Sequence, residues 1–261
     1  MGPTYHGTIA WRGAPTNSGE LALRGPLRCQ ESRLHWRTVI AFFDLDKTVL
    51  SVNSGVLWVR REAALGNLSK RQAVRAMVWL ARYQLGFASA EQLVGEAVAE
   101  VTGTSAAELR QRTERFFVEE VQHTVRPGAL EAIAGHRAAH DALVLLTSST
   151  NYLSELAARQ VGFERVLCNR LEVDAAGLHT GRVEGRICFG EGKLVHARAE
   201  AERRQVDLKR CAFYTDSYSD VSVLEQVGMP VAVNPDPRLR RRALREGWRV
   251  TDWGVPLRRA A

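Results

Sequence analysis

A doubly wound α/β fold, a parallel sheet covered by helices on both faces, is what this sequence predicts, on three observations. The apolar runs Val39 to Phe43, Ala142 to Leu146 and Cys211 to Thr215 read as buried parallel strands. Each gives way to polar residues, Asp44-Leu45-Asp46-Lys47-Thr48, Thr147-Ser148-Ser149 and Asp216-Ser217-Tyr218-Ser219-Asp220, at the edge where open α/β sheets bind ligands. After residue 142, strand-like and helix-like stretches alternate regularly.

Residues 1–37 hold Gly, Pro, Ser and Asn without apolar periodicity. They are expected to be an unpacked, disordered extension, or the product of a start codon assigned too far upstream. The first strand begins at Val39, and the next comparable one waits until Ala142. Residues 55–124 in this gap read as a helical insert over the first strand's carboxyl end. Ser69-x-x-Gln72, Ser89-x-x-Gln92 and Ser105-x-x-Glu108 each look like a capping box. Val74, Met77, Val78, Ala81 and Leu85 follow the first at helical spacing, and Leu93, Val94, Ala97, Val98 and Val101 follow the second. Gly86 and Gly103 suit the stops. Arg126-Pro127-Gly128 returns the chain to a core assigned to residues 38–54 and 125–255, leaving 256–261 as a tail.

Beyond Ala142, helices are expected to begin near Thr150 and Ser219 and to stop at Gly162 and Gly228. A short strand near Val166 and another at Val231-Ala232-Val233 bring the core to five strands. Arg170 to Val173 and Arg182 to Ile187, joined across Gly177 to Gly181, read as a small β-hairpin. Arg238 to Arg245 interleaves Leu239, Ala243 and Leu244, the pattern of an amphipathic helix with a solvated basic face. No internal repeat is visible.

Residues 238–261 hold eight arginines against Glu246 and Asp252, so +6 of the formal +7 lies there. A solvated helix face explains this charge more simply than a nucleic-acid or lipid surface, since Trp248 and Trp253 stand too far apart for a stacking platform. No nucleic-acid partner is expected; a non-catalytic anion-binding protein using this segment is the reading from a different class. Cys29, Cys168, Cys188 and Cys211 show no C-x-x-C spacing, so reduced thiols are expected rather than disulfides. No stretch of about twenty apolar residues or signal-peptide pattern is present, and a cytoplasmic protein without a membrane span is expected. H-E-x-x-H, Gly-x-Ser-x-Gly and Walker A motifs are lacking, which argues against zinc peptidase, α/β-hydrolase and P-loop chemistry. His136 and His140, on a helix, are expected at the surface.

Two carboxylates two residues apart at a strand's end suit phosphoryl transfer. A phosphate monoester carries close to two negative charges near neutral pH, so an attacking carboxylate needs charge relief. Mg²⁺ provides it, with Asp44, the Asp46 backbone carbonyl and Asp216 as a partial oxygen shell. Asp44 takes the part of nucleophile, and Asp46 protonates the leaving oxygen and then activates water. Thr147 and Lys193 grip the phosphoryl oxygens, with Ser148 as a further phosphate contact, while Asp220 holds a metal-bound water or orients Lys193. Each has a plainer reading: Thr147 as a helix cap, Lys193 as an exposed helix lysine, Asp216 and Asp220 as helix-start acids. Four segments supplying complementary groups in order favour the site.

The set Asp44-x-Asp46-x-Thr48, Thr147, Lys193 and Asp216-x-x-x-Asp220 resembles the haloacid dehalogenase superfamily of phosphatases. From about Val39 to Trp253 the chain resembles its IB subfamily, which contains phosphoserine phosphatase; Asn234-Pro235-Asp236 and Gly247-Trp248 are further echoes. The resemblance implies a Rossmann-like core, a C1 cap in the helical insert, a nucleophilic Asp44, an acid/base Asp46, phosphate contacts from Thr147 and Lys193, and Mg²⁺ held by Asp44, Asp46 and Asp216. The expected function is thus Mg²⁺-dependent hydrolysis of a small phosphorylated metabolite. Phosphoserine phosphatases usually place a Glu shortly after the first motif for the substrate's ammonium group, where this chain has Asn53, and often carry Ser-Gly-Gly where it has Thr147-Ser148-Ser149. L-phosphoserine is therefore a runner-up substrate, and a phosphotransferase or phosphomutase is a runner-up activity.

Overall fold

The computed structural model describes residues 39–69, 71–72, 74–78, 95 and 98–256. The extension read in residues 1–37, the capping box at Ser89, the stop at Gly86 and most of the C-terminal tail lie outside the described residues. The strands, in chain order, are β1 (Ile40–Phe43), β2 (Ala142–Thr150), β3 (Arg165–Asn169), β4 (Leu171–Val173), β5 (His179–Val183), β6 (Cys211–Thr215), β7 (Met229–Val233) and β8 (Arg249–Thr251). Six form one parallel sheet in the order β3-β2-β1-β6-β7-β8, and β4 with β5 forms the antiparallel hairpin. The order runs outward from β1 to β2 and β3 on one side, and from β6 to β7 and β8 on the other. The strand order therefore reverses between β1 and β6, the kind of switch point outside whose carboxyl ends open α/β sheets bind ligands.

The helices are α1 (Ser54–Ala64), α2 (Ala106–Phe116), α3 (Pro127–Ala138), α4 (Asn151–Val161), α5 (Glu191–Arg203), α6 (Val221–Leu224) and α7 (Pro237–Glu246). Because strand side chains alternate, each apolar run serves two cores. Ala41, Phe43, Leu143, Leu145 and Tyr214 pack on one face against Ala129 and Ile133 of α3 and Ala157 and Val161 of α4. Ile40, Phe42, Val144, Leu146 and Phe213 pack on the other against Leu194, Ala197 and Ala201 of α5, and Leu239 and Ala243 of α7. This two-sided burial is why the runs are continuously apolar.

Local chemistry sets the ends of the elements. Pro127 opens α3, and Asp236 caps α7 by accepting from the N–H groups of Arg238 and Leu239 at 2.7 and 2.9 Å. Gly162 ends α4 at φ 81° in the left-handed region, as its position in the sequence predicts. Ser69 and Gln72 form a reciprocal capping box, and Ser105 accepts from the Glu108 N–H. The helical segment between β1 and β2 is pinned where it leaves and returns: Leu50 bridges Val125, and the Ser51 N–H donates to the Thr124 carbonyl. Its residues 103–106 pair with the hairpin, the Gly103 N–H donating to His179 and the His179 N–H to Thr104.

The structure corrects several expectations. The sheet has a sixth strand, β8, only three residues long at an edge, too short for a periodicity signal. The hairpin's second strand begins at His179, so Gly181, at φ 77°, lies within it and not in the turn; a Cβ there would sit 2.1 Å from the Thr102 hydroxyl. Gly228 ends no helix in the left-handed region; it is small because the Lys209 carbonyl passes 1.8 Å from where its Cβ would be. Val74 and Val78 are 63% and 54% exposed, because apolar spacing identifies a helix face without deciding whether a neighbour covers it. The helix α7 forms as expected, with Leu239 and Ala243 inward, but Leu244 is 65% exposed. His136 is buried, with Nδ1 2.8 Å from Asp141 Oδ2 and Nε2 2.7 Å from the Tyr214 hydroxyl.

Candidate active site

Asp44 follows the last residue of β1, and its N–H donates to the Tyr214 carbonyl of β6 at 2.9 Å. The next residues turn sharply: Asp46 is extended and Lys47 takes φ 57°, with the Lys47 N–H closing onto the Val52 carbonyl at 2.9 Å. The turn is held from below by Arg126, whose guanidinium Nε donates to the Lys47 carbonyl at 3.2 Å and whose Nη1 donates to the Gly254 carbonyl. Thr48 joins the first and last motifs. Its hydroxyl accepts from the Asp216 N–H at 2.9 Å and lies 3.3 Å from Asp216 Oδ1.

Lys193 is 2% exposed, which overturns the plainer reading of it as a surface lysine. Its ammonium donates to Asp44 Oδ1 and Asp220 Oδ2, both at 2.8 Å. Two glycines make this placement possible. Gly190 sits at φ 49° and ψ −121°, and a Cβ on Gly192 would lie 1.9 Å from the Ile187 carbonyl oxygen, so the first turn of α5 can press against the preceding loop. Asp220 also accepts from the Thr215 hydroxyl at 2.7 Å, which leaves it anchored to β6 and facing the lysine.

Asp46 is gripped on both oxygens: Oδ1 accepts from the Ser54 N–H at 2.7 Å and Oδ2 from the Ser149 hydroxyl at 3.0 Å. Ser54 begins α1 behind its cap, Asn53, whose side chain accepts from the Val56 N–H at 2.9 Å. Thr147, where the apolar run of β2 gives way to polar residues, is buried and accepts the Ser149 N–H at 3.2 Å. The Ser148 carbonyl accepts from the Asn169 side chain at 2.7 Å, and Asn169 in turn accepts the Cys188 N–H at 2.8 Å. The register of β1 with β2 and β6 sets Phe43 beside Leu145 and Tyr214, so Asp44, Thr147 and Asp216 follow within two residues at one edge. Lys193 thus joins Asp44 to Asp220 directly, Asp46 and Asp216 interact with Asp44 through their charges, and Thr147 and Ser148 lie in β2 just before Ser149, which holds Asp46.

Electrostatics mark the same place. Burial pushes the Asp44 carboxyl from the ordinary 3.8 up to about 7, with the charges of Asp220 and Asp46 adding to it, against the pull of the Lys193 ammonium. Asp216 is held well above the usual carboxylate range, first by burial and next by the charge of Asp44. Lys193 offsets only part of this repulsion between buried carboxylates, and a cation would offset more. Among the described residues no three His, Cys, Asp or Glu side chains are gathered as a metal cluster. Any cation here would rest on two carboxylates, Asp44 and Asp216, completed by backbone carbonyl and water. That is an all-oxygen set suited to a small hard ion that keeps its waters.

Sequence reasoning missed Ser149, Asn169, Arg126 and Thr215. Asn169 carried a usable signal, since it ends the run Val166-Leu167-Cys168 at the same edge as the other motifs. Arg126 carried none, because its value lies in carbonyls distant along the chain.

A family model for haloacid dehalogenase-like hydrolases matches residues 41–225. A Mycobacterium tuberculosis protein named phosphoserine phosphatase SerB1 is 34% identical over 222 residues, covering 84% of this chain and 72% of that protein. A histidinol-phosphatase of Neisseria meningitidis is 25% identical over 82% of this chain and 98% of its own length. A crystal structure of a Bordetella pertussis protein of unknown function superposes with a TM-score of 0.76 at 31% identity, covering 83% of this chain and 99% of that one.

Proposed function

Since this chain belongs to the haloacid dehalogenase-like hydrolases and is an enzyme of their phosphatase type, we propose that it is a Mg²⁺-dependent phosphatase acting on a small phosphorylated metabolite through an aspartyl-phosphate on Asp44. The observation that carries this reading is the buried Lys193 bonded to both Asp44 and Asp220, with Asp46 clamped two residues from the nucleophile. Asp44, the Asp46 backbone carbonyl and Asp216 would hold the ion, whose chemistry is to neutralise charge on the phosphoryl oxygens.

The chain's own residues then perform two displacements. An Asp44 carboxylate oxygen bonds to phosphorus as the bond to the leaving oxygen breaks, and Asp46 gives that oxygen its proton. Water next attacks phosphorus, its proton passing to Asp46, and the bond to Asp44 breaks to release phosphate and restore both residues. Lys193, Thr147 and Ser148 offset charge on the phosphoryl group throughout, and Asp220 keeps Lys193 aimed. Residues 55–124 act as a cap that excludes water during the first displacement and opens for the second, on the core formed by 38–54 and 125–255. The Leu50–Val125 bridge supports a hinge at that junction.

The names of the relatives cover both a phosphoserine and a histidinol phosphatase, so they support a phosphate monoester without choosing one. Asn53 is occupied as a neutral cap of α1, which argues against recognition of an ammonium group at that point and keeps L-phosphoserine second. The basic helix α7 buries Leu239 and Ala243 and pairs Arg242 with Glu225, which favours a packing role over an anion-binding one. Unpaired Cys168, Cys188 and Cys211 are compatible with a cytoplasmic enzyme.

Phosphate release from p-nitrophenyl phosphate, with and without Mg²⁺, tests the proposal. Turnover that needs the ion and disappears in Asp44→Asn is expected, and an Asp44→Asn variant as active as the parent would overturn it. Added acceptor alcohols separate hydrolysis from phosphotransfer, since a hydrolase keeps releasing free phosphate. A panel of phosphorylated amino acids, sugars and nucleotides then identifies the substrate.

A further inference from the structure

We propose that Ser149 is a positioning residue for proton transfer: its hydroxyl holds Oδ2 of Asp46 so that this oxygen, and not Oδ1, exchanges the proton with the leaving group. The inference rests on the phosphatase reading above and adds to it a residue to which that reading gives no part.

The two oxygens of Asp46 are chemically unequal. Oδ1 lies 2.7 Å from the Ser54 N–H, a group that can only donate. That N–H belongs to the first turn of α1, where backbone donors lack helical partners and favour an unprotonated oxygen. A hydroxyl oxygen accepts such a bond poorly, so the proton belongs on Oδ2. Oδ2 faces the Ser149 hydroxyl at 3.0 Å, a group that donates or accepts as needed and therefore tolerates both protonation states. When Oδ2 gives up its proton as the phosphorus–oxygen bond breaks, the serine hydroxyl donates to the new negative charge, and charge-assisted bonds are about twice as strong as neutral ones. Water returns the proton to the same oxygen in the second displacement.

Ser149 is itself held. Its N–H donates to the Thr147 hydroxyl at 3.2 Å, and the preceding carbonyl is tied to buried Asn169 at 2.7 Å. The two donors on Asp46 come from opposite sides, Ser54 from the root of the helical insert and Ser149 from the end of β2, so the carboxyl cannot rotate without losing one of them.

A structural serine would affect all substrates alike, whereas a serine that assists proton donation matters in proportion to the leaving group's need for a proton. The test is kcat/KM, which reports the first displacement, across a series of substituted phenyl phosphates from p-nitrophenyl to unsubstituted phenyl, for the parent, Ser149→Ala, Ser149→Gly and Ser149→Thr with Mg²⁺. In the Ala and Gly variants the unsubstituted substrate is expected to fall by about 10- to 100-fold and p-nitrophenyl phosphate by less than about threefold, steepening the dependence on leaving group. Ser149→Thr, which keeps the hydroxyl, retains the parent's slope. An equal loss across the series, or no loss, overturns the role of Ser149. Retained turnover in Asp44→Asn overturns the phosphatase reading instead, so the two failures are distinguishable.

Discussion

Replacing Lys193 with Met removes the cation 2.8 Å from both Asp44 and Asp220 while keeping most of the buried volume. Breaking a buried ion pair from one side costs about 3–5 kcal/mol, because the remaining charge stays desolvated. For a domain of this size that is a fall in Tm on the order of 10 °C. The loss also has a pH dependence whose sign is fixed. The folded-state value of Asp44, about 7, lies above the ordinary 3.8, so the stability linked to its proton is full below the ordinary value and lost as pH rises through about 7. Lys193 lowers the Asp44 value, so without it the carboxyl keeps its proton to higher pH. In metal-free protein the variant's deficit is thus largest near pH 8 and smaller near pH 5.5, and Asp44 is less ionised at neutral pH. Activity with Mg²⁺ is expected to fall by about 100-fold or more. Thermal melts at the two pH values and phosphate release are the assays. A Tm within about 2 °C of the parent at both pH values, or activity within about threefold, would refute the reasoning.

Three further outcomes follow from packing and burial. Gly192→Ala places a methyl 1.9 Å from the Ile187 carbonyl oxygen, so the start of α5 must shift and Lys193 with it; activity is expected to fall by about tenfold or more, read in the same phosphate assay. His136→Phe leaves the Asp141 carboxylate and Tyr214 hydroxyl without their buried partner and is expected to cost about 1–3 kcal/mol in urea unfolding, more than His140→Ala at a turn. Burial raises the thiols of Cys168 and Cys211 to about 12 and raises that of Cys188 as well, so none of the three should react with a thiol reagent at pH 8 until the protein is unfolded.

The sheet was legible because its strands are buried on both faces and so read as uninterrupted apolar runs, while Asp44, Thr147 and Asp216 declare themselves by ending those runs. Lys193 was legible as a member of the set but not as a buried residue, because its environment is made by Asp44 and Asp220 at distant positions. The edge strand Arg249–Thr251 is half exposed and too short to show alternation. His136 looked like a surface histidine because helical spacing carries no record of Asp141 and Tyr214, which satisfy it in the core. Ser149 was legible as a polar residue at the edge of β2 but not as a partner of Asp46, because only the fold brings its hydroxyl to that carboxyl, 103 residues away.

The central claim is a covalent bond between phosphorus and Asp44, and rapid acid quenching of the enzyme during turnover, followed by mass spectrometry of its peptides, tests it most directly. One phosphoryl group on the peptide carrying Asp44, absent from Asp44→Asn, is the predicted result. A modification at another residue, or an unmodified enzyme throughout the burst of leaving-group release, would contradict it.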